Sequence, residues 1–199
     1  MTEPVAAVIL AAGLSRRMGK PKMSLPWGRT TVLGQVIDVF TQAGVQEIVI
    51  VSGGARQSIE EELARSVHPI PVHSVYNPDY ETGEMLSSIQ CGLQSLGALL
   101  EAALIGLGDQ PQISLTAIQA VLSDQPNYRD KIIVPSYNMH RGHPWLVGSQ
   151  YWQQVLELKS PLTTRDFLRE HANQIQYVAT DLTVLKDLDT PEEYQREKP

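Results

Sequence analysis

Four cations crowd into one short stretch of a chain that is acidic overall. Arg16, Arg17, Lys20 and Lys22 all fall in the run Leu10-Ala-Ala-Gly-Leu-Ser-Arg-Arg-Met-Gly-Lys-Pro-Lys22. Gly13 and Gly19 let such a loop turn tightly and bring its backbone close to a ligand. Successive free N–H groups in a turn form an anion-binding concavity, so the expected chemistry is capture of a phosphate-like anion. The alternative is a solvated basic loop. Two phosphate-binding patterns are excluded by spacing. A P-loop places four residues between its glycines and Ser or Thr after its lysine, whereas here five residues separate Gly13 from Gly19 and Pro21 follows Lys20. The G-x-G-x-x-G of dinucleotide folds is absent.

Two acidic segments lie far away in sequence. Asp109 stands in Leu107-Gly-Asp-Gln-Pro111, directly after an apolar run. A carboxylate at a strand's carboxyl end suits Mg²⁺, which takes oxygen ligands and commonly uses one or two carboxylates plus substrate phosphates. An Asx-turn before proline is the structural alternative. Near the C-terminus, Asp187-Leu-Asp189 precedes Thr190-Pro-Glu-Glu193. There Thr190 reads as a helix cap, with Pro191 at the first helical position and acids in the first turn.

The elements that would hold these groups alternate. Strands are expected at residues 5–10, 47–51, 72–75, 102–107 and 131–135, and helices at 30–43, 56–66, 83–99 and 115–122. In the helix at 83–99, Met85, Ile89, Leu93 and Leu96 mark the inward side. Such alternation predicts an α/β fold with a mostly parallel sheet, whose ligands bind at the carboxyl ends of the strands. The phosphate loop and Asp109 both fall there. After residue 137 the alternation breaks, with a strand at 145–147 and helices at 150–158 and 163–171. The chain is expected to be a single domain over 1–199, with the anion-binding loop in a core at 1–136 and a segment at 137–199 that completes the site.

Composition narrows the classes. A net charge of −6 argues against broad nucleic-acid binding. The apolar run at 5–12 is too short for a membrane span, and the acidic start lacks a signal peptide's basic region. With Cys91 as the one cysteine, no internal disulfide can form, and Cys91 reads as a small buried apolar residue. A cytoplasmic protein without membrane or nucleic-acid partners is expected.

The first loop resembles the L-A-A-G-x-S-x-R-M-G-x-x-K signature of the MobA-like nucleotidyltransferase superfamily, closest there to the molybdenum cofactor cytidylyltransferases. The segments Leu185-Lys-Asp-Leu-Asp-Thr-Pro-Glu-Glu-Tyr194, Asn77-Pro-Asp-Tyr-Glu-Thr-Gly-Glu-Met-Leu-Ser-Ser88 and Arg141-Gly-His-Pro-Trp-Leu-Val147 are similar to further motifs of that superfamily. The resemblance implies a three-layer, Rossmann-like nucleotidyltransferase fold. It implies that Leu10, Ala11, Ala12, Gly13 and Ser15 wrap a nucleotide. Arg17 would neutralise the β- and γ-phosphates, and Lys22 would hold the α-phosphate. Asp189 joins Asp109 as a Mg²⁺ ligand, with Asp187 as an alternative. Asn77, Gly83 and Ser87 border base and ribose. Gly142, His143 and Arg165 face the acceptor, with a structural role as the alternative for His143.

Related guanylyltransferases carry L-A-G-G in the first loop, whereas a methyl at Ala12 should crowd a purine, which favours CTP. One departure bears on the acceptor. Where molybdenum cofactor enzymes usually carry Gly-Ala-Arg, this chain has Thr163-Thr-Arg165. The expected reaction is transfer of CMP from CTP to the terminal phosphate of molybdopterin, with pyrophosphate released. The alternatives are another NTP such as GTP, another phosphorylated acceptor such as a sugar phosphate, and a non-catalytic carrier that delivers the cofactor to a molybdenum oxidoreductase.

Overall fold

The computed structural model describes residues 4–15, 17–123 and 127–199; Arg16 lies outside them. In chain order the strands are β1 (Val5–Ala11), β2 (Pro26–Trp27), β3 (Thr30–Thr31), β4 (Glu47–Ser52), β5 (Val72–Tyr76), β6 (Ala102–Leu107), β7 (Ile132–Tyr137), β8 (His140–Arg141), β9 (Trp145–Gly148) and β10 (Ile175–Ala179). The helices are α1 (Val32–Gln42), α2 (Arg56–Arg65), α3 (Glu84–Gln94), α4 (Leu115–Leu122), α5 (Trp152–Glu157), α6 (Thr164–Glu170) and α7 (Pro191–Glu197).

The main sheet runs β10-β7-β9-β6-β1-β4-β5, with β8 paired to β7. Every pair along β6-β1-β4-β5 is parallel, and β10 is parallel to β7. Strand β9 is antiparallel to both its neighbours, β6 and β7. The result is a mostly parallel α/β sheet with helices on both faces.

The apolar run of β1 explains the layering. Val5, Ala7 and Ile9 pack with side chains of α1, α2 and α4 on one face. Val8 packs with α3, α5 and α6 on the other. A strand covered on both faces has no solvent side, so its sequence is continuously apolar rather than alternating. Helix α1 begins where Thr31 Oγ1 accepts from the Gly34 N–H and ends before Gly44, whose φ is +93°. Leucine 188, Tyr194, Trp27, Met18 and Val32 form a third apolar cluster that fastens α7 to the β2–β3 hairpin. There the Tyr194 hydroxyl donates to the Pro26 carbonyl at 2.6 Å.

Two expectations need correction. Helix α3 stops at Gln94 rather than 99, because the Ser95 hydroxyl bonds back to the Gly92 carbonyl and the chain turns out toward Gly97. Its inward face carries Leu86, Ile89 and Leu93, while Met85 is left exposed. Beyond residue 137 the chain does more than flank a site: β9 completes the middle of the sheet and β10 its edge. Among the described residues, no helix is long and apolar enough to cross a membrane.

Candidate active site

Register brings the two key loops together. Strands β1 and β6 pair Leu10 with Leu107, so the chain leaves both strands at one level. The Gly108 N–H donates to the Leu10 carbonyl at 2.9 Å, tying the two exits. The phosphate loop then turns through left-handed backbone at Ser15 (φ +48°) and Gly19 (φ +64°). Gly19 adopts this conformation without the steric cost that Ser15 bears. The Met18 N–H closes onto the Ser15 carbonyl at 3.0 Å, and the Lys22 N–H reaches Ser15 Oγ at 3.4 Å.

Lys22 is the hub. It is 7% exposed, and its ammonium donates to Asp109 Oδ2 at 2.7 Å, to Asp189 Oδ1 at 3.5 Å and to the Leu188 carbonyl. A buried ammonium is tolerated only when it is paired and hydrogen-bonded in this way. Arg17, 73% exposed along its side chain, donates to Asp189 Oδ2 at 2.7 Å. The Leu188 N–H donates to the Asp109 carbonyl at 3.0 Å, so the two acidic segments are joined through backbone.

The cap of α7 fixes Asp189. Thr190 Oγ1 accepts from the Glu193 N–H at 3.2 Å. The Glu193 carboxylate accepts from the N–H groups of both Thr190 and Asp189, at 2.9 and 2.8 Å. These backbone bonds hold the Glu193 carboxyl below its ordinary pKa. Asp187 sits at the exposed rim. Partial desolvation, then the charges of Asp109 and Asp189, raise its pKa above the usual carboxylate value.

A cavity of about 430 Å³ opens over this network. Of the residues singled out in the sequence, Leu10, Gly13, Ser15, Arg17, Lys22, Asp109 and Asp189 line it together, joined by Leu14, Met18, Met23 and Glu81. Ala11 and Ala12 are buried and are not among its lining residues. Glu81 was missed because it occupies a position the motif leaves open. The Leu188 carbonyl was missed because a backbone acceptor leaves no side-chain signal.

The other expected residues separate from this cavity. Asn77 is buried as a clasp: its Nδ2 donates to Ser87 and Ser88 Oγ at 2.9 and 3.0 Å, and its Oδ1 accepts from the Asp79 N–H at 2.9 Å. Gly83 and Ser87 line a second cavity, of about 580 Å³, between α3 and the loop joining α5 to α6. Gly142 and His143 line neither cavity. Gly142 packs under Val184, whose carbonyl oxygen would lie 2.4 Å from any Cβ placed there. The His143 ring stacks on Trp145 with centroids 4.7 Å apart. Its Nε2 is enclosed and finds no hydrogen-bond partner among the described residues, and burial lowers its pKa to about 4. Arg165 is exposed at the start of α6, next to Thr164, which lines the second cavity.

The donor set fits a divalent cation shared with a ligand. Asp109 and Asp189 offer carboxylate oxygens around one point, and they already hold two side-chain cations there. Among the described residues, no group of three or more His, Cys, Asp or Glu side chains forms a self-sufficient metal cage. Two carboxylates completed by phosphate oxygens are a common Mg²⁺ arrangement.

Comparison with known proteins supplies the family. The family described as MobA-like NTP transferase domain matches residues 7–175. The molybdenum cofactor cytidylyltransferase of Escherichia coli is 27% identical over 190 residues, covering 96% of this chain and 93% of that protein. A probable molybdenum cofactor guanylyltransferase of Bacillus cytotoxicus is 31% identical over 201 residues, covering 96% and 94%. The crystal structure of Rv0371c from Mycobacterium tuberculosis superposes with a TM-score of 0.80 at 26% identity, covering 98% of both chains.

Proposed function

The chain belongs to the MobA-like NTP transferase family, and from that premise we propose that it transfers CMP from CTP to the terminal phosphate of molybdopterin, releasing pyrophosphate. Nucleotidyl transfer follows from the family; the choice of CTP and of molybdopterin is the proposal. The observation that carries the catalytic reading is the convergence of Lys22, Arg17, Asp109 and Asp189 around one cavity, from three segments far apart in sequence. Support for the base and acceptor comes from the E. coli relative, which is named for cytidylyl transfer to the molybdenum cofactor.

The chemistry asks little of proton transfer. A phosphate monoester acceptor has a second pKa of ~6 and is mostly dianionic near neutral pH, so it attacks without a general base. The difficulty is bringing two anions together and absorbing charge on the leaving pyrophosphate, which is met by positioning and electrostatics. Asp109 and Asp189 would hold Mg²⁺, which supplies positive charge to the phosphates when bound. In this reading Lys22 would balance charge at the α-phosphate and Arg17 at the outer phosphates. Both cations rest on the carboxylates in the free protein, so they are in place before the nucleotide arrives. The phosphate loop would contribute the N–H groups that it does not already use internally.

The test is pyrophosphate release from each of the four common NTPs, with and without molybdopterin. Release from CTP that requires molybdopterin is expected. Faster turnover with GTP at equal concentration would move the assignment to the guanylyl side, where the Bacillus cytotoxicus relative stands. Release only with a sugar phosphate would replace the acceptor. Binding of CTP without release under any condition would leave a carrier.

A further inference from the structure

The second cavity shares the segment 79–87 with the first, yet the two have no lining residue in common: Glu81 faces the first, while Asp79, Thr82, Gly83 and Ser87 border the second. At about 580 Å³ it is the larger, and it falls within the range of small-molecule sites. Its charge is of the wrong sign for phosphate. Asp79 and Glu84 stand against a single cation, Lys159, and neither carboxylate takes part in an ion pair among the described residues.

Its two walls are fixed. From α3, Gln90 Nε2 donates to the carbonyls of Val155 and Leu158, each at 2.9 Å, which sets the distance to the α5–α6 loop. The far end of that loop is held by Thr163 Oγ1 donating to Asp166 Oδ2 at 2.7 Å. One large apolar side chain is left in solvent on each wall: Met85, 37% exposed, and Leu162, 48% exposed. Partly exposed apolar side chains on both walls, in a lining that also carries hydroxyls and two carboxylates, match a flat, uncharged ring that carries N–H donors on one edge.

We propose that this cavity holds the ring system of the acceptor, a neutral bicyclic heterocycle with a 2-amino-4-oxo edge, its faces against Met85 and Leu162 and its N–H groups on Asp79 and Glu84. The proposal rests on the transferase reading above and adds to it where the non-reacting part of the acceptor binds. It reassigns Gly83 and Ser87 from the nucleoside to the acceptor, and it places Arg165 beside the acceptor site through Thr164. A guanine base carries the same edge, so the test must separate acceptor from nucleotide.

Pterin itself, 2-amino-4-oxopteridine, serves as the probe, followed by its fluorescence with neither nucleotide nor metal present. Saturable binding to the wild type is expected, weakened about tenfold in Met85→Ser/Leu162→Ser, whose lost contacts lie on the surface and should leave the melting temperature unchanged. Asp79→Asn, which leaves the apolar walls intact, is expected to weaken pterin binding as well. In turnover, the double variant is expected to raise KM for molybdopterin while KM for CTP and kcat stay at wild-type values. Unaltered pterin binding in both variants, or a rise in the CTP KM in place of the acceptor KM, overturns the assignment. Pterin binding by a protein that releases no pyrophosphate with any NTP keeps the cavity and removes the transferase reading. Pyrophosphate release with an acceptor KM indifferent to the variants does the reverse.

Discussion

The two cavities on either side of residues 79–87 are built by opposite means. The first is organised by charge. Lys22, Asp109 and Asp189 come from three distant parts of the chain, and each would be costly to bury alone. The second is framed by hydrogen bonds within its walls and by apolar contact: a glutamine brace, a capping box and two uncovered hydrophobic side chains. A converging set of charges suits a ligand whose charge moves during the reaction; a braced, partly apolar cleft suits the part of a ligand that only has to be held. The difference teaches that changes in the first cavity should appear mainly in kcat, and changes in the second mainly in KM for one substrate.

The largest effect is expected at the hub. Lys22→Ala removes a well-placed cation, worth roughly 3–4 kcal/mol in the transition state by analogy with a lost oxyanion donor, so kcat should fall about a hundredfold or more. Steady-state kinetics at saturating CTP check this, and near-normal turnover would dissolve the contrast between the cavities.

Next comes Leu188→Ala. Leu188 is fully buried, and its backbone bonds to both Lys22 and Asp109. Truncation should cost about 2–5 kcal/mol of stability, measured by urea unfolding, and should lower kcat by loosening Asp189.

His143 belongs to neither cavity, and its titration sharpens the division. Burial holds its pKa at about 4 in the folded chain, below the ordinary imidazole value of 6.5. Between those values the unfolded state binds more protons, so folding stability should decline as pH falls from 6.5 toward 4. Comparison of wild type with His143→Gln by urea unfolding across that range should show a loss of about 3 kcal/mol confined to the wild type. A flat difference would return His143 to an open, titratable site. The smallest effect is expected from Gln90→Ala, which loosens the second cavity's wall: a rise in acceptor KM equivalent to about 1 kcal/mol per brace, with kcat unaltered.

Legibility in the sequence followed the same division. Charged side chains leave a signal, so Arg17, Lys22, Asp109 and Asp189 were all readable, and the cap at Thr190 predicted how Asp189 would be held. Buried strands were readable from their unbroken apolar runs, β6 and β1 above all. Strand direction was not: nothing in Trp145–Gly148 tells that β9 runs against its neighbours. Strand β10 escaped notice because an edge strand buries little, with only Ile175 and Val178 turned partly inward. The second cavity was hidden for a related reason. Threonines, a glutamine and a methionine at helix and loop positions look like ordinary surface, and only the fold brings α3 against residues 158–164. Gly142 and His143 looked like an acceptor motif, while their contacts are with Val184 and Trp145.

The account stands most directly on the two carboxylates and the cation they are said to share with the nucleotide. Pyrophosphate release from CTP and molybdopterin should be followed across a magnesium titration in the wild type and in Asp109→Asn. A saturable magnesium response in the wild type and none in the variant is predicted. An Asp109→Asn protein that titrates and turns over like the wild type would contradict it.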